Sequence, residues 1–410
     1  MAAPAGDAVK ILFLAPRFPY PPHRGDRLTT YHLIRTLSAR HQVTLLSFTD
    51  GTEPKEARRE VSAWCHSLHT VHLPRARSWA QAWLAVFSTT PSQVAYFASP
   101  EMQRLLERTL AAEPHDLVFA QTVRLAPIAA RVSHPNKVLF IGDSHGMALA
   151  RAMPFYPWWR RIGMMWEQWR IERFGAGMSQ HYRETWALSP VDFEDLARHG
   201  CRNLRLVPHG VDERLFDVER KPQDPPRVVF LGNLGVPHNV DAARFAAEEV
   251  WPRIRRRWPQ ARLVIAGADP APSVARLASL PGVEVPGRVS DLREMWSTAS
   301  VMLAPLRFST GIQNKVLEAI AAGVPVVTTE PVARGIGARA GEMLLVGADA
   351  DELASAVCAT LDDPAAAASR IRSAREHVSR TFSWAAVRHR LEELAESAGP
   401  LSSVARMGPG

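Results

Sequence analysis

Cysteine is scarce in this chain: there are three, Cys65, Cys201 and Cys358, in 410 residues. They are odd in number, far apart, and show neither Cys-x-x-Cys spacing nor a neighbouring His pattern. A disulfide framework and a structural zinc site are therefore not supported, and a reducing compartment fits best. Long apolar runs are missing too. The run after Lys10 covers only residues 11–15 before Pro16, too short for the apolar core of a signal peptide, and no stretch of about 18 apolar residues follows. Neither export nor a membrane span is expected. The loop after that first run, PRFPYPPHRG, lacks the Gly-x-Gly-x-x-Gly phosphate fingerprint, which argues against a dinucleotide-dependent dehydrogenase.

What is present describes a folded, two-part chain. Apolar residues make up 46% and charged residues 22%, a balance typical of globular proteins and far from that of disordered ones. A length of 410 residues exceeds what one core ordinarily serves, so two domains are expected. The net charge of +8 favours anionic partners, among which nucleotide-sugars, anionic lipids and nucleic acid all qualify. The short basic run at 253–257 lies on a helix whose other face is core-like, so a solvated surface explains it better than nucleic acid does.

An apolar strand is expected at 11–15, then a Pro- and Gly-rich loop, then a helix from about Arg27 with Thr30, Leu33, Ile34 and Leu37 on one buried face, then a strand at 43–47. Strand, helix, strand reads as a parallel βαβ unit. Further strands are expected at 117–120, 138–141, 185–188 and 204–207. Residues 208–226, PHGVDERLFDVERKPQDPP, concentrate proline and charge and read as a linker. The same grammar then restarts: a strand at 228–231, helical spacing through Val240, Ala243, Ala247, Val250 and Ile254, and strands at 263–266, 283–285, 301–304, 324–328 and 344–346. The expected fold class is α/β, two Rossmann-like α/β/α domains facing across a cleft. Open parallel sheets bind ligands beyond the carboxyl ends of their strands.

The most informative segment is residues 308–329, FSTGIQNKVLEAIAAGVPVVTT. Gly311 stands before an expected helix start, where the N–H groups of Ile312, Gln313 and Asn314 would point outward as a diphosphate site aided by the helix dipole. Glu318 is an isolated acid in an apolar run. Vicinal ribose hydroxyls would supply the partners that a buried Glu needs, and a structural salt bridge would do so equally well.

This segment resembles the donor-site motif of the retaining family 4 glycosyltransferases, whose fold is called GT-B. Three other segments carry the same resemblance: GDRLTTYHLIRTLSARHQVTLLSF, VPHGVDERLF and GRVSDLREMWSTASVMLAPL. With GIQNKVLEA and FLGNLGVPHNVDA, the chain looks most like bacterial sugar transferases associated with exopolysaccharide loci. The resemblance covers nearly the whole chain. It implies a retaining transfer of sugar from a nucleoside-diphosphate sugar to an acceptor hydroxyl, in polysaccharide or glycoconjugate assembly or onto a natural product. The donor is a substrate, and neither cofactor nor metal requirement is expected, since no Asp-x-Asp pair stands in a donor-site context. The alternatives are a nucleotide-sugar epimerase of the same fold and a non-catalytic nucleotide-sugar-binding protein.

The resemblance also implies roles. Glu318 would bind the donor ribose, and the N–H groups after Gly311 would hold the diphosphate. Arg288 and Val289 would contact the base. Gly25, with Asp26 beside it, matches the glycine-rich first loop, although among prolines an ordinary turn glycine fits as well. Asp143 and His145, after the strand at 138–141, match the position of an acceptor-side polar residue and are the catalytic candidates. Two departures stand out. Thr310 occupies the position where the family usually has a second glutamate, and GNLGVPHNV lacks the usual Arg and Lys. Lys315, three residues before Glu318 and thus on one helical face with it, is expected to supply the missing charge.

Residues 151–173, RAMPFYPWWRRIGMMWEQWRIER, interleave aromatics and arginines. They read either as a helix with Trp in the core and Arg in solvent, or as an interfacial helix, apolar on one face and basic on the other, making a peripheral contact with anionic lipid. The expected organisation is an acceptor-binding domain over 1–208 and a donor-binding domain over 209–381. A terminal helix over about 382–396 would pack back on the first domain, followed by a disordered tail over 397–410. The expected location is the cytoplasm, in one version at the inner face of the membrane.

Overall fold

The structure, a computed structural model, describes residues 8–21, 25–208, 210–308 and 312–382 together with 384, 389 and 393, with the backbone alone at 25, 26 and 28. Two parallel sheets organise it. The first holds seven strands in the order β3-β2-β1-β4-β5-β6-β7. These are β1 (Lys10–Ala15), β2 (Gln42–Thr49), β3 (Ser67–His72), β4 (Leu117–Gln121), β5 (Lys137–Gly142), β6 (Glu184–Ala187) and β7 (Leu204–Leu206). The second holds six in the order β10-β9-β8-β11-β12-β13. They are β8 (Arg227–Leu231), β9 (Arg262–Ala266), β10 (Val283–Gly287), β11 (Val301–Ala304), β12 (Val326–Thr328) and β13 (Leu345–Val346). The expected fold class holds.

Helices cover both faces of each sheet, so central strands are buried on both sides and read as continuous apolar runs. In β1, Ile11, Phe13 and Ala15 enter one core while Leu12 and Leu14 enter the other. In both sheets the strand order reverses beside the first strand of its half, β1 or β8. Crevices beyond the carboxyl ends open at such reversals.

Every expected strand is present, with ends shifted by a residue or two, and β3 is the addition. Its sequence, SLHTVH, is mostly polar and buries only Val71, because it lies at the sheet edge. The first helix runs Gly25–Ser38, and Thr30, Leu33, Ile34 and Leu37 are all buried beneath it. The helical run expected from Val240 to Ile254 is split. It runs Pro237–Phe245, then a π turn at Ala246–Val250, then Trp251–Arg257. The basic run at 253–257 is engaged at the surface, with Arg253 paired to Asp351 at 2.6 Å and Arg257 to Asp362 at 2.7 Å. Among the described residues no helix is long and apolar enough to cross a membrane.

Among the described residues, the halves meet through several contacts. Phe155 packs tilted against Phe308 at 4.2 Å between ring centroids, and Arg307 lies over the Phe155 ring. Helix Pro190–Arg198 packs against helix Glu330–Gly335. Trp384 stacks on His32 of the first helix at 4.5 Å. The expected helix over 382–396 lies mostly outside the described residues, as does the tail over 397–410.

Candidate donor site between the two sheets

A cavity of about 540 Å³ opens between the two halves. Tyr31, His32 and Arg35 of the first helix line one side, Asn314, Leu317 and Glu318 the other. Its floor comes from Gly210 to Asp212, and Ser290 to Arg293 close it beyond β10. Trp384 completes the wall, and only glycine fits at 210, because a Cβ there would sit 2.3 Å from the Trp384 ring.

The sheet and the loop sequence place Glu318. Helix Asn314–Ala321 buries Val316, Leu317, Ala319 and Ile320 against β11 and β12, which leaves one side for the polar residues. Glu318 is half-buried and its carboxylate accepts no hydrogen bond among the described residues. Burial, with the Asp212 carboxylate adding, raises its pKa to about 7, and Lys315 acts in the opposite direction. Asp212 itself is pushed up by burial, but hydrogen bonds from Arg214 outweigh this and hold it below the usual carboxylate range. A carboxylate without a hydrogen-bond donor in a ligand-sized cavity is a ready acceptor for donated hydroxyls.

Two expectations about the helix start need correction. The helix begins at Asn314, with Gln313 as the extended N-cap residue, so Ile312 and Gln313 precede it. Ile312 packs into the core instead, and Val316 N–H already bonds to Gln313 O at 2.8 Å. Within the helix, the amides left without an intrahelical partner are those of Asn314 and Lys315. Likewise, Lys315 does not pair with Glu318 across one face. Its ammonium, nearly buried, donates to Asn239 Oδ1 and lies 5.4 Å from the Phe230 ring centroid, so it turns toward β8 while Glu318 turns to the cavity. Burial lowers its pKa to about 7, with Glu318 opposing. Lys315 thus stands under GNLGVPHNV, the loop that lacks the usual Arg and Lys. Asn239 ties the two together by donating to Asn233 O at 3.0 Å, and burial together with Lys315 brings His238 down to about 4.

Arg288 is exposed and Val289 half-buried on the loop after β10, beside the cavity wall. Thr310 and Gly311 lie outside the described residues, and at Gly25 and Asp26 the backbone alone is described. Asp143 and His145 come together past the end of β5, where Ser144 caps helix His145–Ala152. They line no part of the Glu318 cavity. His145 is engaged on both ring nitrogens, Nδ1 with Asp143 O at 3.1 Å and Nε2 near Arg124 at 3.4 Å, and burial then Arg124 lower it to about 4. It borders a small void of about 20 Å³, room for one water at most. Asp143 is the freer of the two, since its carboxyl accepts no hydrogen bond among the described residues, and burial then Asp192 hold it well above its usual range.

Sequence reasoning missed Tyr31, His32, Arg35, Asp212, Asp291 and Arg293 as lining residues. The segment VPHGVDERLF was the available signal for Asp212, but as a linker it offered no hint of which residues face inward.

Comparisons with known proteins agree with this geometry. Residues 225–363 match the family model described as glycosyl transferases group 1. Glycogen synthase of Mycobacterium tuberculosis is 28% identical over 207 residues, 48% of this chain and 49% of that protein. The chain spans about half the length of the curated relatives it matches. Among solved structures, Anabaena HepE in complex with UDP has a TM-score of 0.66 at 15% identity, covering 95% of this chain and 100% of that one. Sucrose-phosphate synthase from Thermosynechococcus elongatus has a TM-score of 0.69 at 17% identity, covering 95% and 98%. The fold is GT-B, two Rossmann-like halves facing across a cleft.

Proposed function

We propose that this chain is a retaining glycosyltransferase of family 4 type that transfers a sugar from a nucleoside-diphosphate sugar to an acceptor hydroxyl. The observation that carries the reading is the half-buried Glu318 carboxylate, without a hydrogen-bond partner among the described residues, facing a cavity wide enough for a nucleoside. It stands within the segment matched by the group 1 family model, and HepE, of the same fold, has been crystallised with UDP and with UDP-glucose. Glu318 accepts hydrogen bonds from the vicinal ribose hydroxyls. The amides of Asn314 and Lys315 face the diphosphate, Lys315 supplies charge, and Arg288 and Val289 flank the base. Gly25, Asp26, Thr310 and Gly311 complete the donor side in this reading; on the acceptor side Asp143 and His145 stand past the end of β5, outside the Glu318 cavity, and the acceptor hydroxyl meets Asp143 rather than the already engaged His145.

Transfer proceeds on one face of the sugar. The acceptor oxygen bonds to the anomeric carbon on the side from which the nucleoside diphosphate departs, and the acceptor proton passes to the departing phosphate oxygen. No protein nucleophile and no metal ion is required in this scheme. The acceptor belongs to polysaccharide or glycoconjugate assembly on the cytoplasmic side, with peripheral membrane contact through residues 151–173.

Titration calorimetry with nucleoside diphosphates, followed by NMR of the product anomer, tests this. Binding of one diphosphate and a product of unchanged anomeric configuration are expected, with turnover surviving a chelator. Inverted product, or turnover lost to chelator and restored by magnesium, overturns the corresponding part. Free epimerised sugar released without acceptor points to the epimerase instead.

A further inference from the structure

Every exposed large apolar side chain among the described residues falls in one of two segments, 79–87 or 155–169. Trp83 is 66% exposed, Phe87 79%, Trp158 72% and Trp159 56%. Far apart in sequence, the segments are joined in space. Trp166 Nε1 donates to Val86 O at 2.9 Å, and the buried Arg170 guanidinium donates to Ser88 O at 3.1 Å and Thr90 O at 2.9 Å. Helix Arg75–Leu84 with its following turn and helix Trp158–Ser179 therefore present one continuous apolar face. Of the two readings of the long helix, the one with Trp in the core fails, since Trp158, Trp159, Trp166 and Trp169 are all exposed, and residues 158–163 are exposed all the way round its first turns.

The exposed charges on this face have one sign, since Glu167 and Glu172 of the long helix are half-buried and turn to Arg170 and His199. Arg75, Arg77, Arg160, Arg161 and Arg173 are exposed, and neither 73–97 nor 145–166 contains an acidic residue. Arg75 reaches away to Asp50 at 3.0 Å. A second copy seated symmetrically on the face would set arginines against arginines. A nucleic acid would leave Leu84, Ile162 and Met165 in water. Tryptophans and aliphatics ringed by arginines match the boundary between headgroups and acyl chains in an anionic bilayer.

We infer that segments 75–88 and 158–173 together form a bipartite docking face for an anionic lipid bilayer. This rests on the peripheral-contact reading for the long helix and adds a second, equal contributor. Phe155 borders the face and packs against Phe308, so a docked molecule holds its interdomain cleft beside the lipid surface.

The test is flotation of the full chain with phosphatidylcholine vesicles, with or without phosphatidylglycerol, at low and high salt. The wild type should float with the anionic vesicles and less so at high salt. The pair W83S/F87S and the pair W158S/W159S should each lower partitioning by about ten-fold or more, since each removes apolar area from the interface. Both pairs alter exposed side chains, and unchanged melting curves and nucleoside-diphosphate affinity would separate this result from the donor-site reading. If W83S/F87S floats as the wild type does while W158S/W159S does not, the bipartite face is wrong and the single-helix reading stands. Equal recovery with neutral and anionic vesicles overturns both. A dimer in sedimentation that the same variants abolish assigns the face to a second copy and overturns the lipid.

Discussion

In the C-terminal half, from Arg227 onward, every large apolar side chain among the described residues is at least half-buried, whereas the N-terminal half carries all of the exposed ones. The same contrast separates the matched segment, 225–363, from the rest. One half closes its apolar surface around a sheet and leaves a polar cavity at its edge, with Asn314, Glu318 and Asp291 lining it. The other leaves Trp83, Phe87, Trp158 and Trp159 in solvent on two helices. Similar sheets thus serve different surroundings: a small polar ligand needs precise buried groups, while an extended apolar partner needs area.

The sharpest break in this comparison comes from Glu318→Gln. If the cavity binds ribose, loss of charge-assisted hydrogen bonds should weaken nucleoside and nucleotide alike by roughly 1.5–3 kcal/mol. Calorimetry with nucleoside and with nucleoside diphosphate measures it, and unchanged nucleoside affinity would remove the ribose role. The next effect concerns how the halves are joined. Gly210→Ala drives a Cβ into the Trp384 ring and should separate it from His32, costing about 1–3 kcal/mol of stability as overpacking does. A melting curve indistinguishable from wild type would show that the Trp384 contact does not hold the halves.

Lys315→Met should weaken nucleoside diphosphate by about ten-fold while leaving nucleoside unchanged, about 1.4 kcal/mol confined to phosphate. Titration should separate the two residues as well. The raised pKa of Glu318 means that the carboxylate which accepts ribose hydroxyls is lost as pH falls through about 7, so nucleoside affinity should decline on the acid side. The lowered pKa of Lys315 means that its charge is lost as pH rises through about 7, so the extra affinity due to diphosphate should decline on the alkaline side. Isothermal titrations across that range read both slopes, and parallel slopes would count against separate roles. The smallest effect is expected at the cleft mouth. A double-mutant cycle of Phe155→Ala and Phe308→Ala should give a coupling of about 0.5–1.5 kcal/mol, because the rings are in contact across the halves. Additive effects in thermal unfolding would show that the contact does not couple them.

Periodicity and apolar runs by themselves determined the two parallel α/β halves, because central strands such as β1, β5 and β11 are buried on both faces and announce themselves as continuous apolar segments. The same logic could not find β3, whose edge position demands one buried residue, Val71. In the site, the run NKVLEAIAAG made Glu318 visible as an acid in apolar company, and the resemblance supplied a role. Tertiary structure alone decided which way Lys315 turns, since residues three apart on a helix share a face only if nothing else competes, and Asn239 with Phe230 competes successfully. It also decided the helix start at Asn314, with the preceding Ile312 packed into the core. Finally, it brought 79–87 beside 155–169, a juxtaposition invisible in the chain because the hydrogen bonds from Trp166 and Arg170 to backbone carbonyls carry no signature in the sequence they reach.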